Sequence, residues 1–199
     1  MKNYFRYKKM TEEKYYKKGL LYYLVRKPGD KTLFNWINKI KSKTVLEVGA
    51  GYGYYTKHLM KNNTVEAVDI NPDLCKNLGI TVYGCSASDI DVYVKKSYDC
   101  VCSFWMTEYL DNDELRKFIY NGCGMLKESG HFLSTIIIKK GLGRLYILGA
   151  KIKRINKYNY TYKDIVEIVP EGYSARFIKV KGIWGIPFAI LLDITRNKE

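Results

Sequence analysis

The sequence predicts an α/β fold, a parallel sheet wrapped by helices, and three observations predict it. Short apolar runs bounded by turn residues alternate with helix-like runs between residues 44 and 138. The first apolar run, Thr44–Val48, ends in glycines at alternate positions, Gly49, Gly51 and Gly53, and turns at once into a helix-like run. The chain closes on two further apolar runs, separated by Gly182 and Gly185.

The elements follow in order. Thr11, with Glu12 and Glu13 behind it, is the N-cap of a first helix reaching about Val25, and Pro28-Gly29-Asp30 breaks it. A second helix, about 31–40, puts Leu33, Phe34, Ile37 and Ile40 on one face. Strand 1 is 44–48, helix 1 about 54–61, strand 2 is 64–69, and Pro72 opens the next helix. Strand 3 is 80–83, strand 4 is 98–104, a helix spans about 111–125, and strand 5 is 131–138. Residues 139–159 mix glycines and basic residues with Leu, Tyr and Ile, and are expected as a basic lid or surface insertion. A helix over 160–169, the turn Pro170-Glu171-Gly172 and strands at 175–180 and 186–194 end the chain.

Composition bounds the function classes. A chain of 199 residues that is 47% hydrophobic and 15% aromatic suits one domain with a packed core, not a disordered tract. It has no apolar run of the ~18 residues that a spanning helix needs, and its start lacks the apolar stretch of a secretory signal. The five cysteines are odd in number and contain no C-x-x-C pair, so a reduced, cytoplasmic setting and no metal centre are expected. The net charge is +14 and is concentrated: residues 1–41 carry +9, residues 139–163 carry +8, and the remainder carries −3. Two such segments point to an anionic partner: an anionic membrane surface, a nucleic acid or an acidic small molecule. Biased Lys, Asn, Tyr and Ile usage is the competing explanation of the lysines.

Chemistry is concentrated at the strand ends. A strand that finishes in glycines lets a ligand approach the backbone, and ligands of open α/β sheets sit at the carboxyl ends of the strands. A dinucleotide fingerprint reads G-x-G-x-x-G; here the glycines fall G-x-G-x-G, Tyr54 stands where the third glycine would be, and Glu47 precedes the first by two. This stretch resembles motif I of the class I S-adenosylmethionine (SAM) dependent methyltransferases. The resemblance implies a Rossmann-like, seven-stranded, mostly parallel sheet with an antiparallel strand 7 and helices on both faces, forming one domain over 1–199. Within it, 1–41 would be a helical cap, 42–138 the SAM-binding core, 139–159 the insertion and 160–199 the last helix and strands.

The same resemblance assigns positions. Gly49, Ala50, Gly51 and Gly53 would meet the methionine part of SAM, with Glu47 accepting from its amino group. Asp69, closing strand 2, would take the ribose hydroxyls, with Ile70 beside it. Ser88 and Asp89 would meet the adenine, and Ser103 and Phe104, ending strand 4, would face the cleft. Motifs of base amine, cytosine-C5 and protein-arginine methyltransferases are absent after strand 4. The likeness that remains is to the ubiquinone-biosynthesis-like group, so the expected acceptor is a small molecule or lipid-like compound, with RNA methylation or SAM binding without catalysis as alternatives. Where a base is needed, Glu108 is the candidate; His58 and His131 read as structural.

Overall fold

The computed structural model describes residues 26–152 and 157–197. A helix α1 (Lys27–Ile37) precedes β1 (Thr44–Val48), and the first predicted helix lies outside the described residues. The expected break at Pro28-Gly29-Asp30 is not a break. Pro28 sits in the first turn of α1, where its missing N–H costs no intrahelical bond. Gly29 lets α1 lie close on the sheet, because a Cβ there would stand 2.8 Å from Val180 Cγ1.

After β1 come α2 (Thr56–Leu59), β2 (Thr64–Val68), a 3-10 turn (Pro72–Leu78) and β3 (Val82–Tyr83). Then follow a 3-10 turn at Ala87–Asp89, α3 (Ile90–Tyr93), β4 (Tyr98–Ser103) and α4 (Asn112–Gly124). The expected helix at 54–61 shrinks to α2 because residues 51–55 form the turn that the glycines impose. The α4 boundary falls where the sequence places it: Asp111 caps the amides of Asp113 and Glu114, and the Glu114 carboxylate accepts from the Asp111 N–H.

β5 (Leu126–Ile137) leads into α5 (Leu142–Ile152), α6 (Tyr162–Val166), β6 (Tyr173–Lys181) and β7 (Pro187–Arg196). The strands form one seven-stranded sheet in the order β3-β2-β1-β4-β5-β7-β6. β1 pairs in parallel with β2 and β4, whereas β7 is antiparallel to both β5 and β6. Central strands are covered on both faces, so they read as continuous apolar runs; β7 is buried without interruption from Phe188 to Asp193.

Two cores flank the sheet. One packs α4 on β1, β4, β5 and β7 through Leu115, Phe118, Ile119 and Phe132, and Gly122 allows the approach, since a Cβ there would meet Phe132 Cε2 at 2.6 Å. The other gathers Leu33, Ile37, Tyr55, Leu59, Phe104, Trp105, Ile147 and Phe188, so α1, α2 and α5 share a face. All five cysteines are buried and free, and no group of three or more His, Cys, Asp or Glu side chains among the described residues could hold a metal ion. No described helix is long and apolar enough to cross a membrane.

Candidate active site

The parallel strands β1 to β5 deliver their carboxyl ends to one edge of the sheet, and the glycine turn lies there. Gly49, Gly51 and Gly53 all have positive φ, 79°, 55° and 74°. An L residue resists that region, which is the local reason for glycine at alternate positions. Their surroundings differ. A Cβ on Gly49 would collide with Met106 Cγ at 2.3 Å, so that glycine admits the loop after β4. A Cβ on Gly51 would meet nothing within 4 Å, so the space beside its Cα is open, while its N–H is held by Asp69 and its carbonyl accepts from the Cys75 thiol. Ala50, between them, is buried.

Two carboxylates flank this turn. Glu47 is 1% exposed and its Oε2 has no hydrogen-bond partner, nor does the buried hydroxyl of Thr56. Burial raises the Glu47 carboxyl to about 8, with the Asp69 charge adding and the nearby Thr56 hydroxyl opposing. Asp69 is tied to backbone: Oδ2 accepts from Gly51 N–H at 2.8 Å and Oδ1 from Asn71 N–H at 2.8 Å. Burial raises its pKa and those two amides oppose the rise. Each oxygen keeps a lone pair free. Ile70 stands next to it, 58% exposed. Asp89 is exposed on the turn after β3, where Ser88 Oγ donates to its Oδ1 at 3.3 Å and Ser86 Oγ accepts from Ser88 N–H. The structure thus brings Glu47, the three glycines, Asp69, Ile70, Ser88 and Asp89 to the ends of three adjacent strands, β1, β2 and β3.

The end of β4 is built differently. Ser103 is fully buried with an unpartnered Oγ, and Phe104 is 4% exposed, tilted against Tyr55 at 5.0 Å. Ser103 and Phe104 stand at the carboxyl end of β4 as expected, with both side chains packed inside. The next residue carries the feature that sequence reasoning missed. Trp105 has φ 59°, a region costly for a bulky residue. It is held there by Thr135 Oγ1, which accepts from its N–H at 2.6 Å, and by stacking on Phe188 at 5.3 Å. Its indole Nε1 donates to Tyr55 Oη at 2.7 Å and to Asp30 Oδ1 at 3.1 Å, and Tyr55 donates to the same Asp30 oxygen at 2.6 Å. Burial pushes the Tyr55 phenol well up, so that proton stays on the phenol.

Glu108 follows on a buried turn. Its Oε1 accepts from Tyr146 Oη at 3.1 Å and is ion-paired with Lys157 Nζ, while its Oε2 is buried without a partner. Lys157 also lies 4.8 Å from the Tyr109 ring and 4.7 Å from the Tyr146 ring, and Tyr158 N–H donates to Glu108 O at 2.7 Å. Burial alone would lower the Lys157 ammonium; Glu108 and Tyr146 override it and hold it raised. Within the basic segment after β5, residues 142–152 form α5, and Tyr146 of α5 and Lys157 beyond it both meet Glu108 in the loop after β4. His58 and His131 stay out of this edge: His58 Nδ1 contacts Tyr54 O, and His131 Nδ1 pairs with Asp193 Oδ1 at 2.9 Å.

Residues 46–134 match the Methyltransferase domain family. Over 101 residues the chain is 32% identical to phosphoethanolamine N-methyltransferase 1 of Triticum aestivum, covering 45% of this chain and 20% of that protein. The chain spans about a fifth of the length of that curated relative. Among solved structures, magnesium protoporphyrin IX methyltransferase from Synechocystis, with bound SAH, superposes with a TM-score of 0.70 at 15% identity, over 98% of this chain and 94% of that one. The N-methyltransferase NodS of Bradyrhizobium japonicum, in complex with S-adenosyl-L-homocysteine, gives 0.68 at 16% identity over 99% of both chains. At such identities the likeness speaks for the fold. The fold is thus the Rossmann-like methyltransferase fold, and residues 46–134 within it carry the matched methyltransferase domain.

Proposed function

We propose that the chain binds SAM along the ends of β1 to β4 and transfers its methyl group to a small-molecule acceptor. The observation that carries this reading is Glu47 Oε2. It is a fully buried acceptor without a partner, beside a glycine turn with open space next to the Gly51 Cα. A buried unsatisfied carboxylate oxygen is costly unless a ligand completes it. In this reading Glu47 accepts from the amino group of the methionine part, with Gly49, Ala50, Gly51 and Gly53 supplying backbone. Asp69 accepts from the ribose hydroxyls through its remaining lone pairs, and exposed Ile70 covers one face of the adenine while Ser88 and Asp89 meet its edge. Ser103 and Phe104 back the site from inside. The division into a cap, a core over 42–138, the insertion and the closing strands is kept as part of this reading.

SAM supplies an electrophilic sulfonium methyl, so the protein's part is chiefly alignment and exclusion of water. Trp105, fixed by Thr135, Tyr55 and Asp30, shapes the wall on the acceptor side. Glu108 is spoken for by Lys157 and Tyr146 through Oε1; its bare Oε2 is the acceptor atom that would orient a substrate N–H or O–H. By their names, the similar proteins methylate phosphoethanolamine and magnesium protoporphyrin IX, which supports a small-molecule acceptor here. The test is a cofactor titration by calorimetry with SAH. Binding in the range of about 1–100 μM, weakened at least about tenfold by Asp69→Ala, is expected; a wild-type protein that binds neither SAM nor SAH removes the reading.

A further inference from the structure

We propose that the cavity between the end of β5 and α6 is a binding site for a phosphate-class anion, and that it anchors the acceptor. The cavity holds about 430 Å³ and is lined by Ile138, Lys139, Lys140, Gly141, Arg144 and residues 160–162. Three of those side chains are cationic, and none is acidic. None of the three forms an ion pair among the described residues. The Arg144 Nε–H donates to Lys139 O at 3.2 Å, which fixes the guanidinium beside the two lysines. Thr161 Oγ1 accepts from Asp164 N–H, and the Thr161 N–H and hydroxyl hold the Asp164 carboxyl below its usual range. Gly141 immediately precedes α5 and Arg144 lies in its first turn, where the helix dipole adds positive potential.

A second cavity makes the contrast. It holds about 520 Å³ at the opposite edge, and its lining includes Lys43, Lys127 and Asp99. There the Lys127 ammonium is neutralised by Asp99 at 2.9 Å. At the β5 cavity Lys140 and Arg144 form no ion pair among the described residues, and Lys139 has only Asp164 near it, so the lining keeps an excess of positive charge that an anion would complete.

Its place gives it a use. β5 lies two strands from β1, with β4 between them, so the cavity is offset from the glycine turn by two strand spacings, roughly 10 Å. An acceptor whose phosphate occupied the cavity would present a group about that far away toward the β1–β4 edge. This use rests on the methyltransferase reading; the anion site itself does not. The phosphate could belong to a soluble phosphomonoester or to a lipid headgroup, and exposed Leu145 and Leu148 on α5 lie next to Arg144 for the second case.

The experiment titrates phenyl phosphate into the full chain and, separately, sediments the chain with phosphatidylcholine vesicles with and without phosphatidic acid. The triple variant Lys139→Gln, Lys140→Gln, Arg144→Gln is compared with a control that removes equal charge elsewhere, Lys61→Gln, Lys95→Gln, Lys117→Gln. Saturable binding of phenyl phosphate, or retention that depends on phosphatidic acid, supports the site when the triple variant weakens it at least about tenfold and the control less than about twofold. The first result names a soluble source and the second a lipid. No binding in either arm, or equal losses in both variants, overturns the proposal. SAH titration of the same samples separates the two readings: loss of SAH binding by wild type removes the methyltransferase reading and leaves the anion site standing.

Discussion

The ends of β1 and β2 and the ends of β4 and β5 lie on the same edge of one sheet, yet they are built from different materials. At β1 and β2 the surface is backbone: three glycines at positive φ, an amide held by Asp69 and a carboxylate oxygen with nothing to bond. At β4 and β5 the ends are closed by buried side chains: Trp105 locked to Tyr55, Asp30 and Thr135, and Glu108 locked to Lys157 and Tyr146. The difference separates two tasks. Backbone with free polar groups suits a ligand that is always the same, whereas interlocked side chains can be exchanged to fit one acceptor among many.

The largest expected effect comes from forcing the two halves apart where they touch. Gly49→Ala would place a Cβ 2.3 Å from Met106 Cγ at φ 79°. It is expected to lower stability by about 3 kcal/mol or more and to abolish SAH binding, read by thermal melts and calorimetry. Gly51→Ala sharpens the contrast, since its Cβ meets nothing. It is expected to cost only the left-handed strain, about 1 kcal/mol, while still weakening SAH at least about tenfold.

Next comes the side-chain half. Lys157→Ala leaves Glu108 buried without its charge partner, and a loss of about 3–5 kcal/mol in urea unfolding is expected. Methyl transfer, once an acceptor is in hand, should fall further than SAH affinity, because the proposed function puts Lys157 and Glu108 on the acceptor side. A comparable loss of SAH affinity would erase the division between the two halves.

Glu47 gives a pH-dependent effect. Its carboxyl titrates near 8 when folded, above the ordinary value of 4.5. The unfolded chain therefore releases this proton first, and the group's contribution to stability falls as pH rises from about 4.5 to about 8. Glu47→Gln is expected to raise the melting temperature by about 5 °C at pH 8 and to change it little at pH 4. The same variant should weaken SAH binding and flatten its rise with pH below about 8. The smallest effect belongs to Ser103→Ala. Its hydroxyl is buried and unpartnered, so removal should be neutral or slightly stabilising, within about 1 kcal/mol.

The backbone half was legible in the sequence because glycine spacing and a carboxylate at a strand end are local signals. Thr44–Val48 and the Asp111 cap fall where their residues place them, and the alternation gives the parallel part of the sheet, whereas the antiparallel β7 beside β5 was implied only by the family resemblance. The side-chain half was not. Nothing local marks a tryptophan as left-handed, and Asp30, which reads as a turn former after Pro28-Gly29, meets its partners 25 and 75 residues away. Pro28 misleads for a related reason, since the first turn of a helix tolerates it and only the start of α1 decides. Glu108 reads as a free acid after strand 4 because its partner Lys157 is 49 residues further on.

The claim beneath all of this is that backbone at the end of β1, with Glu47 and Asp69 beside it, holds the adenosyl cofactor. Calorimetry of SAH with wild type, Gly51→Ala and Asp69→Ala at matched folded fractions tests it most directly. The account predicts a single site for wild type, at about 1–100 μM, and at least about tenfold weaker binding in each variant. Unchanged affinity in both variants would contradict it.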